Sequence, residues 1–183
     1  MGDALRAGYY VSPEAYLAAE RVRGQKHEYL AVVEYQMAGA SAGHNRIAGN
    51  LFAELRSQLA GRPCEAFSAD LRVRIRTNTA EFYYYPDVTV DCSGVADAAQ
   101  FAEQPRVIFE VLSPETERID RGEKLRNYQS LPSLDAYVLV DQHRVAVMIH
   151  RRSEGGWSRE LLTEKAEILT LPTIGCSVSV AAI

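Results

Sequence analysis

The sequence has little cysteine, no long apolar run and no surplus of positive charge, and each shortage removes a class of protein. Its three cysteines, Cys64, Cys92 and Cys176, lie far apart. They form neither a disulfide framework nor the spacing of a zinc site, which points to a reducing, cytoplasmic setting. No stretch reaches the roughly 18 apolar residues of a transmembrane helix, so no membrane partner is expected. Residues 1–10 lack an apolar core followed by a small-residue cleavage site, so export is not expected either. The segment 39–43 lacks the Gly-Lys-Ser/Thr ending of a P-loop. No serine or cysteine has a matched His–Asp partner, which leaves acyl transfer without support. A net charge of −4 weighs against indiscriminate nucleic-acid binding, which depends on neutralising phosphate. It is compatible with a carboxylate cluster built for a cation, and a local patch such as Arg72, Arg74 and Arg76 can still face phosphate.

What is there is ordinary soluble composition, 47% hydrophobic and 24% charged, over 183 residues, the size of one domain spanning 1–183. Ser12, Pro13 and Glu14 read as the N-cap and first turn of a helix running to residue 23, where Gly24 stops it. Residues 27–37 alternate as a strand, and 38–43 form a small-residue loop. Residues 44–59 follow as an amphipathic helix with Ile47, Leu51, Phe52, Leu55 and Leu59 on one face. Strands are expected at 64–67, 71–76 and 82–91, with a hairpin turn at 77–80. In the second of these, Leu71, Val73 and Ile75 alternate with Arg72, Arg74 and Arg76, giving one buried and one cationic face. Residues 107–112 are apolar except for Glu110, as in a central strand covered on both sides. A helix at 120–130, a strand pair at 136–140 and 145–151, a strand at 157–162 and a short C-terminal strand complete the pattern. The sum is an α/β (α+β) fold: a mixed central sheet flanked by helices, with additional antiparallel strands.

Glu110 is the first chemical signal. It falls on the strand face shared with Ile108 and Leu112, where a carboxylate is costly unless protonated, paired or bound to a cation. Asp87 is the second. It follows Pro86 at the opening of a β-branched strand, a place suited to projecting a carboxylate from a strand end. Two carboxylates on neighbouring strands make a hard oxygen site for Mg²⁺ or Mn²⁺. Lys124, on the helix after the Glu110 strand, is the cation placed to orient water and oppose charge developing on phosphorus.

Pro86-Asp87, then Glu110-Val111-Leu112-Ser113, then Lys124 four residues after Asp120, resembles the PD-(D/E)XK nuclease superfamily. More narrowly, the chain resembles a family of restriction-endonuclease-like proteins, mostly without an assigned biological role. Nearly the whole chain takes part, including Lys26-His27-Glu28-Tyr29, His44-Asn45, Ser68 to Val73 and Leu171-Pro172. The resemblance implies a restriction-endonuclease-like core with Asp87, Glu110 and the Val111 backbone carbonyl as ligands of a divalent metal. Glu28 matches a further acid beside that metal. Lys124 stands for the superfamily lysine, moved here to the following helix. The implied chemistry is in-line attack of water on a phosphodiester, with DNA as the polymer and a homodimer as the working form. One departure is that family members continue Lys-His-Glu-Tyr with Leu-Asp-Gly-Glu, whereas this chain has Leu30-Ala31-Val32-Val33-Glu34. Either the turn is remodelled or the strand runs straight through, since Ala-Val does not readily supply positive φ.

Plainer readings stand beside these. Pro86-Asp87 could be a simple turn, Asp120–Lys124 an exposed i,i+4 ion pair, and Glu28 a solvated strand residue. His44 could meet substrate phosphate at a helix N-terminus or only cap it, as Arg72 and Arg74 could meet phosphate or pair with acids. Tyr83, Tyr84 and Tyr85 read as core or interface before base stacking. The rival to an Mg²⁺-dependent endonuclease is a catalytically weakened descendant serving as a nucleic-acid-binding or interaction module. Its mark would be Asp87 and Glu110 paired to arginines. A hydrolase of small phosphate esters would instead show a closed pocket.

Overall fold

The computed structural model describes residues 10–37 and 39–183. The readings of residues 1–9 and of Ala38 in the small-residue loop lie outside the described residues. In chain order the elements are α1 (Pro13–Glu20), β1 (His27–Leu30), β2 (Val33–Gln36), α2 (Ala42–Leu59), β3 (Glu65–Ser68), β4 (Arg72–Arg76), β5 (Glu81–Tyr84), β6 (Val88–Asp91), β7 (Phe101–Ala102) and β8 (Pro105–Leu112). A helical run then joins α3 (Glu117–Ile119), a π-helical turn (Asp120–Lys124) and α4 (Leu125–Gln129). β9 (Ala136–Asp141), β10 (Val147–Ser153), β11 (Gly156–Leu162), β12 (Ile168–Leu171) and β13 (Cys176–Ser179) follow.

Two larger sheets organise the molecule. The central one has six strands in the order β11-β10-β9-β8-β6-β3, mixed because β8 and β9 run parallel while its other pairs are antiparallel. The second has five strands, β2-β1-β5-β4-β7. On one face of the central sheet, Val107, Phe109, Val138 and Ile149 pack against Leu51, Leu55 and Leu59 of α2 and against β12–β13. The leucines recur every four residues, so they share a helix face, and burying each contributes about 1.5–3 kcal/mol. On the opposite face, Ile108, Leu112, Tyr137 and Leu139 meet Tyr128 and Leu134 from the α4 region and Val73, Ile75 and Tyr84 from the second sheet. The mixed α/β architecture expected from the sequence is present.

Several boundaries differ from the sequence pattern for identifiable reasons. Ser12 caps α1 as expected, its side chain accepting from the Ala15 N–H at 3.2 Å, but α1 ends at Glu20. The strand expected at 82–91 is two strands in different sheets. Proline lacks the N–H a ladder needs, and the chain crosses from β5 to β6 through Tyr85, Pro86 and Asp87. The strand expected at 27–37 is a hairpin, with Leu30 opposite Val33. Its turn was remodelled without glycine: Ala31 takes φ 61°, and Val32 N–H donates to the Leu30 carbonyl at 2.6 Å, a γ-turn centred on Ala31.

The cysteine expectation is corrected. Cys64 and Cys92 extend the β3–β6 register one step beyond Glu65–Asp91 and are joined as a disulfide. Their sequence separation of 28 hid a pairing that only the antiparallel register creates. Cys176 is free and buried. Among the described residues no helix is long and apolar enough to cross a membrane.

Left-handed backbone costs an alanine about 1–2 kcal/mol, partly offset because glycine is freer when unfolded. Ala31→Gly is therefore expected to stabilise by about 0.5–1 kcal/mol, raising the calorimetric Tm by roughly 1–4 °C; a lower Tm would contradict the turn. Closing a 28-residue span stabilises by about 3–4 kcal/mol. Adding dithiothreitol is thus expected to lower the urea midpoint of wild type but not of Cys64→Ser/Cys92→Ser. An unchanged wild-type midpoint would count against the disulfide.

Candidate metal and catalytic centre

The site forms where the two sheets and the helical run converge. Glu110 comes from β8 and lies on the face holding Ile108 and Leu112, as the strand alternation predicts, with 4% of its surface exposed. Lys124 comes from the helical run and is 5% exposed. Its Nζ stands 2.9 Å from Glu28 Oε1, 3.1 Å from Glu110 Oε1 and 3.3 Å from Asp120 Oδ1. An ammonium has three N–H donors, and three carboxylates face it. The Tyr84 ring lies 5.5 Å from the same nitrogen. Tyr128 OH also donates to Glu110 Oε1, at 3.3 Å.

The π-helical turn explains how Asp120 and Lys124 both point inward. Widening the helix by one backbone step over residues 120–124 brings both side chains into the interior, and such turns recur at functional sites. The reading of Asp120–Lys124 as an exposed ion pair is therefore corrected: Asp120 is 1% exposed. Tyr137 OH donates to the Asp120 carbonyl at 3.1 Å, tying the turn to β9.

Asp87 sits at the crossing between the sheets. The β6–β8 ladder places Val88 opposite Phe109, and beyond it the Asp87 carboxylate replaces the missing strand partner. Its Oδ2 accepts the Val111 N–H at 2.7 Å. The same oxygen lies 3.3 Å from His44 Nε2. His44 occupies the first turn of α2, whose N-cap is Ser41, with its side chain accepting the His44 N–H at 3.1 Å. The Asp87 carboxylate raises the His44 pKa, half-burial opposes this, and the Val111 backbone adds to the rise. Glu28 Oε1 accepts the Tyr85 N–H at 3.4 Å, tying β1 to the crossing.

The electrostatics are unbalanced. Three carboxylates, Glu28, Glu110 and Asp120, act on the buried Lys124 ammonium, and Asp87 adds its negative charge at Glu110. Burial pushes the Glu110 carboxyl well above its ordinary range; Lys124 opposes this, while Asp120, Asp87 and Glu28 reinforce it. Burial also presses Lys124 downward, but the surrounding carboxylates win and hold it well above its ordinary value. Both directions favour the protonated form, Glu110 chiefly through burial and Lys124 through the acids around it, and the surplus of acid leaves the cluster short of positive charge. A hard divalent cation suits that deficit and this oxygen donor set. Among the described residues, however, no three acidic, histidine or cysteine side chains already form a closed metal cage.

Glu28, Glu110 and Lys124 are thus brought together, with Asp87 and His44 beside them at the Val111 N–H. Arg72 and Arg74 make their contacts elsewhere. Arg72 donates to the Gln100 carbonyl and side chain at 3.2 and 3.3 Å and lies over the Tyr16 and Tyr85 rings, and Arg74 pairs with Glu103. Tyr83, Tyr84 and Tyr85 are buried, as core. Sequence reasoning missed Asp120 and Tyr128 as members of the site. The signal was present: Asp120, Lys124 and Tyr128 recur every four residues, on the helix face that meets Glu110.

Removing one partner of a buried pair costs about 3–5 kcal/mol because its charge is left uncompensated. A carboxyl whose folded pKa is raised contributes stability that is complete below its unfolded value and lost as pH rises through the folded value. Glu110 is such a group, so Lys124→Met is expected to lose about 3–5 kcal/mol near pH 8 and clearly less near pH 5. Urea denaturation at both pH values checks this; an equal loss at both would show that the carboxylates do not set the penalty.

Known proteins resemble the chain in sequence and in fold. The chain is 37% identical over 172 residues to the uncharacterized protein slr1290 of Synechocystis sp., covering 93% of this chain and 89% of that protein. It is 33% identical over 162 residues to sll1609 of the same organism, covering 84% and 88%. Its fold matches the crystal structure of a "putative nuclease belonging to DUF820" from Anabaena variabilis with a TM-score of 0.70, covering 87% of this chain and 90% of that one at 17% identity. Residues 13–181 match the Uma2 family, described as "Putative restriction endonuclease", and the chain belongs to that family.

Proposed function

We propose that this protein is a Mg²⁺- or Mn²⁺-dependent endonuclease that hydrolyses phosphodiester bonds, with DNA as its polymer. The observation that carries the reading is the charge deficit at the meeting of the sheets: Glu28, Glu110 and Asp120 surround one buried ammonium, and Asp87 adds its negative charge at Glu110. The family description and the nuclease-named structural neighbour support the same reaction class.

Asp87, Glu110 and the Val111 carbonyl would hold the cation, with Glu28 as a further oxygen donor. When bound, it would supply Lewis acidity toward the phosphoryl oxygen and lower the pKa of water. The chain's own groups do the rest. Lys124, kept protonated by its acids, is positioned to oppose the negative charge that grows on the phosphoryl oxygens. Tyr128 fixes Glu110 through its hydroxyl, so the carboxylate does not reorganise during the reaction. The Val111 N–H fixes Asp87 in the same way. Water attacks phosphorus in line as the bond to the leaving oxygen breaks on the opposite side.

The weakened-descendant alternative would pair Asp87 and Glu110 with arginines. Among the described residues their ionic partners are His44 and Lys124. Cavities of about 500 and 590 Å³ beside the β1–β2 turn and the β10–β11 strands contain none of the clustered acids, which gives no support to a small-ester pocket.

Glu110→Gln and Asp87→Asn are each expected to slow plasmid cleavage in Mg²⁺ or Mn²⁺ by about 10²-fold or more, comparable to losing one preorganised electrostatic group. EDTA should abolish cleavage by wild type. Cleavage that persists in EDTA, or survives both substitutions, would remove the proposal.

A further inference from the structure

His44 is the member of the site whose position the cation-binding reading leaves unexplained. Its Nε2 lies 3.3 Å from Asp87 Oδ2, the oxygen that also accepts the Val111 N–H at 2.7 Å. That carboxylate is one of those proposed for the metal. Lys124 meanwhile occupies two others, Glu28 and Glu110. The donor set is thus divided between two side chains, with His44 on the Asp87 half.

The halves differ in how firmly they are held. Lys124 is enclosed by three carboxylates and 6% exposed along its side chain, whereas the His44 side chain is 14% exposed and has one acidic partner. His44 enters on the first turn of α2 after Ala42 and Gly43, residues with no bulk to trap the ring. We propose that His44 is a displaceable placeholder: it occupies Asp87 until a divalent cation takes that carboxylate, and so weakens cation binding.

This inference rests on the proposed cation site and is tested by affinity. A ligand that needs a site open only a fraction of the time binds more weakly by that fraction, so a ring present about nine-tenths of the time weakens binding about tenfold. Mn²⁺ alone would be titrated calorimetrically into wild type, His44→Ala and His44→Asn, the last two too short to reach Asp87. Both variants are expected to bind Mn²⁺ about tenfold more tightly, and the gain should vanish when Asp87→Asn is added to His44→Ala. Equal or weaker binding by the His44 variants, with wild type still binding Mn²⁺, overturns the placeholder and leaves the cation site standing. No Mn²⁺ binding by any of the proteins overturns both.

Discussion

The Lys124 ammonium and the carboxylates around it form the interaction on which the rest of the site depends. Glu28 arrives from β1 of the second sheet, Glu110 from β8 of the central sheet, and Asp120 from the π-helical turn that also carries Lys124. One nitrogen therefore ties three parts of the fold at a depth where an unpaired charge costs several kcal/mol. The attraction is large because water is excluded, and exclusion makes the remaining imbalance large as well. Excess acid in a dry site favours whatever positive charge can enter. That is a poor way to build stability and a good way to bind a cation.

The surrounding fold reads as the means of assembling this cluster. Pro86 ends one ladder and lets the chain change sheets, which leaves Asp87 at the crossing with Val111 as its partner in place of a neighbouring strand. The Glu28 carboxylate reaches the same crossing through the Tyr85 N–H. The tyrosines read from the sequence as core line the interior, where Tyr84, with Tyr128 and Tyr137, bounds the cluster with rings and hydroxyls. The arginines of β4 serve the second sheet, held by Gln100, Glu103 and Glu81.

Much of this was legible in the sequence because it follows from local rules. A lone acid in Val-Ile-Phe-Glu-Val-Leu marks a site through burial cost, and a proline before Asp87 marks the end of a ladder. The helix of Leu51, Leu55 and Leu59 follows from periodicity alone. What was not legible depends on contacts between distant segments. The Cys64–Cys92 bond needs the β3–β6 register. The fate of Arg72 and Arg74 needs the strand at 101–102, a two-residue element within a polar connector. The sequence left open whether the turn at Ala31 is remodelled or absent, because tertiary pairing imposes there a conformation that alanine disfavours.

If the acids at the meeting of the two sheets lack a cation and accept a divalent one there, anomalous diffraction from crystals soaked in Mn²⁺ will show a single strong peak bounded by the Asp87 and Glu110 carboxylates and the Val111 carbonyl, with the His44 ring withdrawn from Asp87. No peak at saturating Mn²⁺, or one only at surface carboxylates with Lys124 and His44 still holding the cluster, would contradict it.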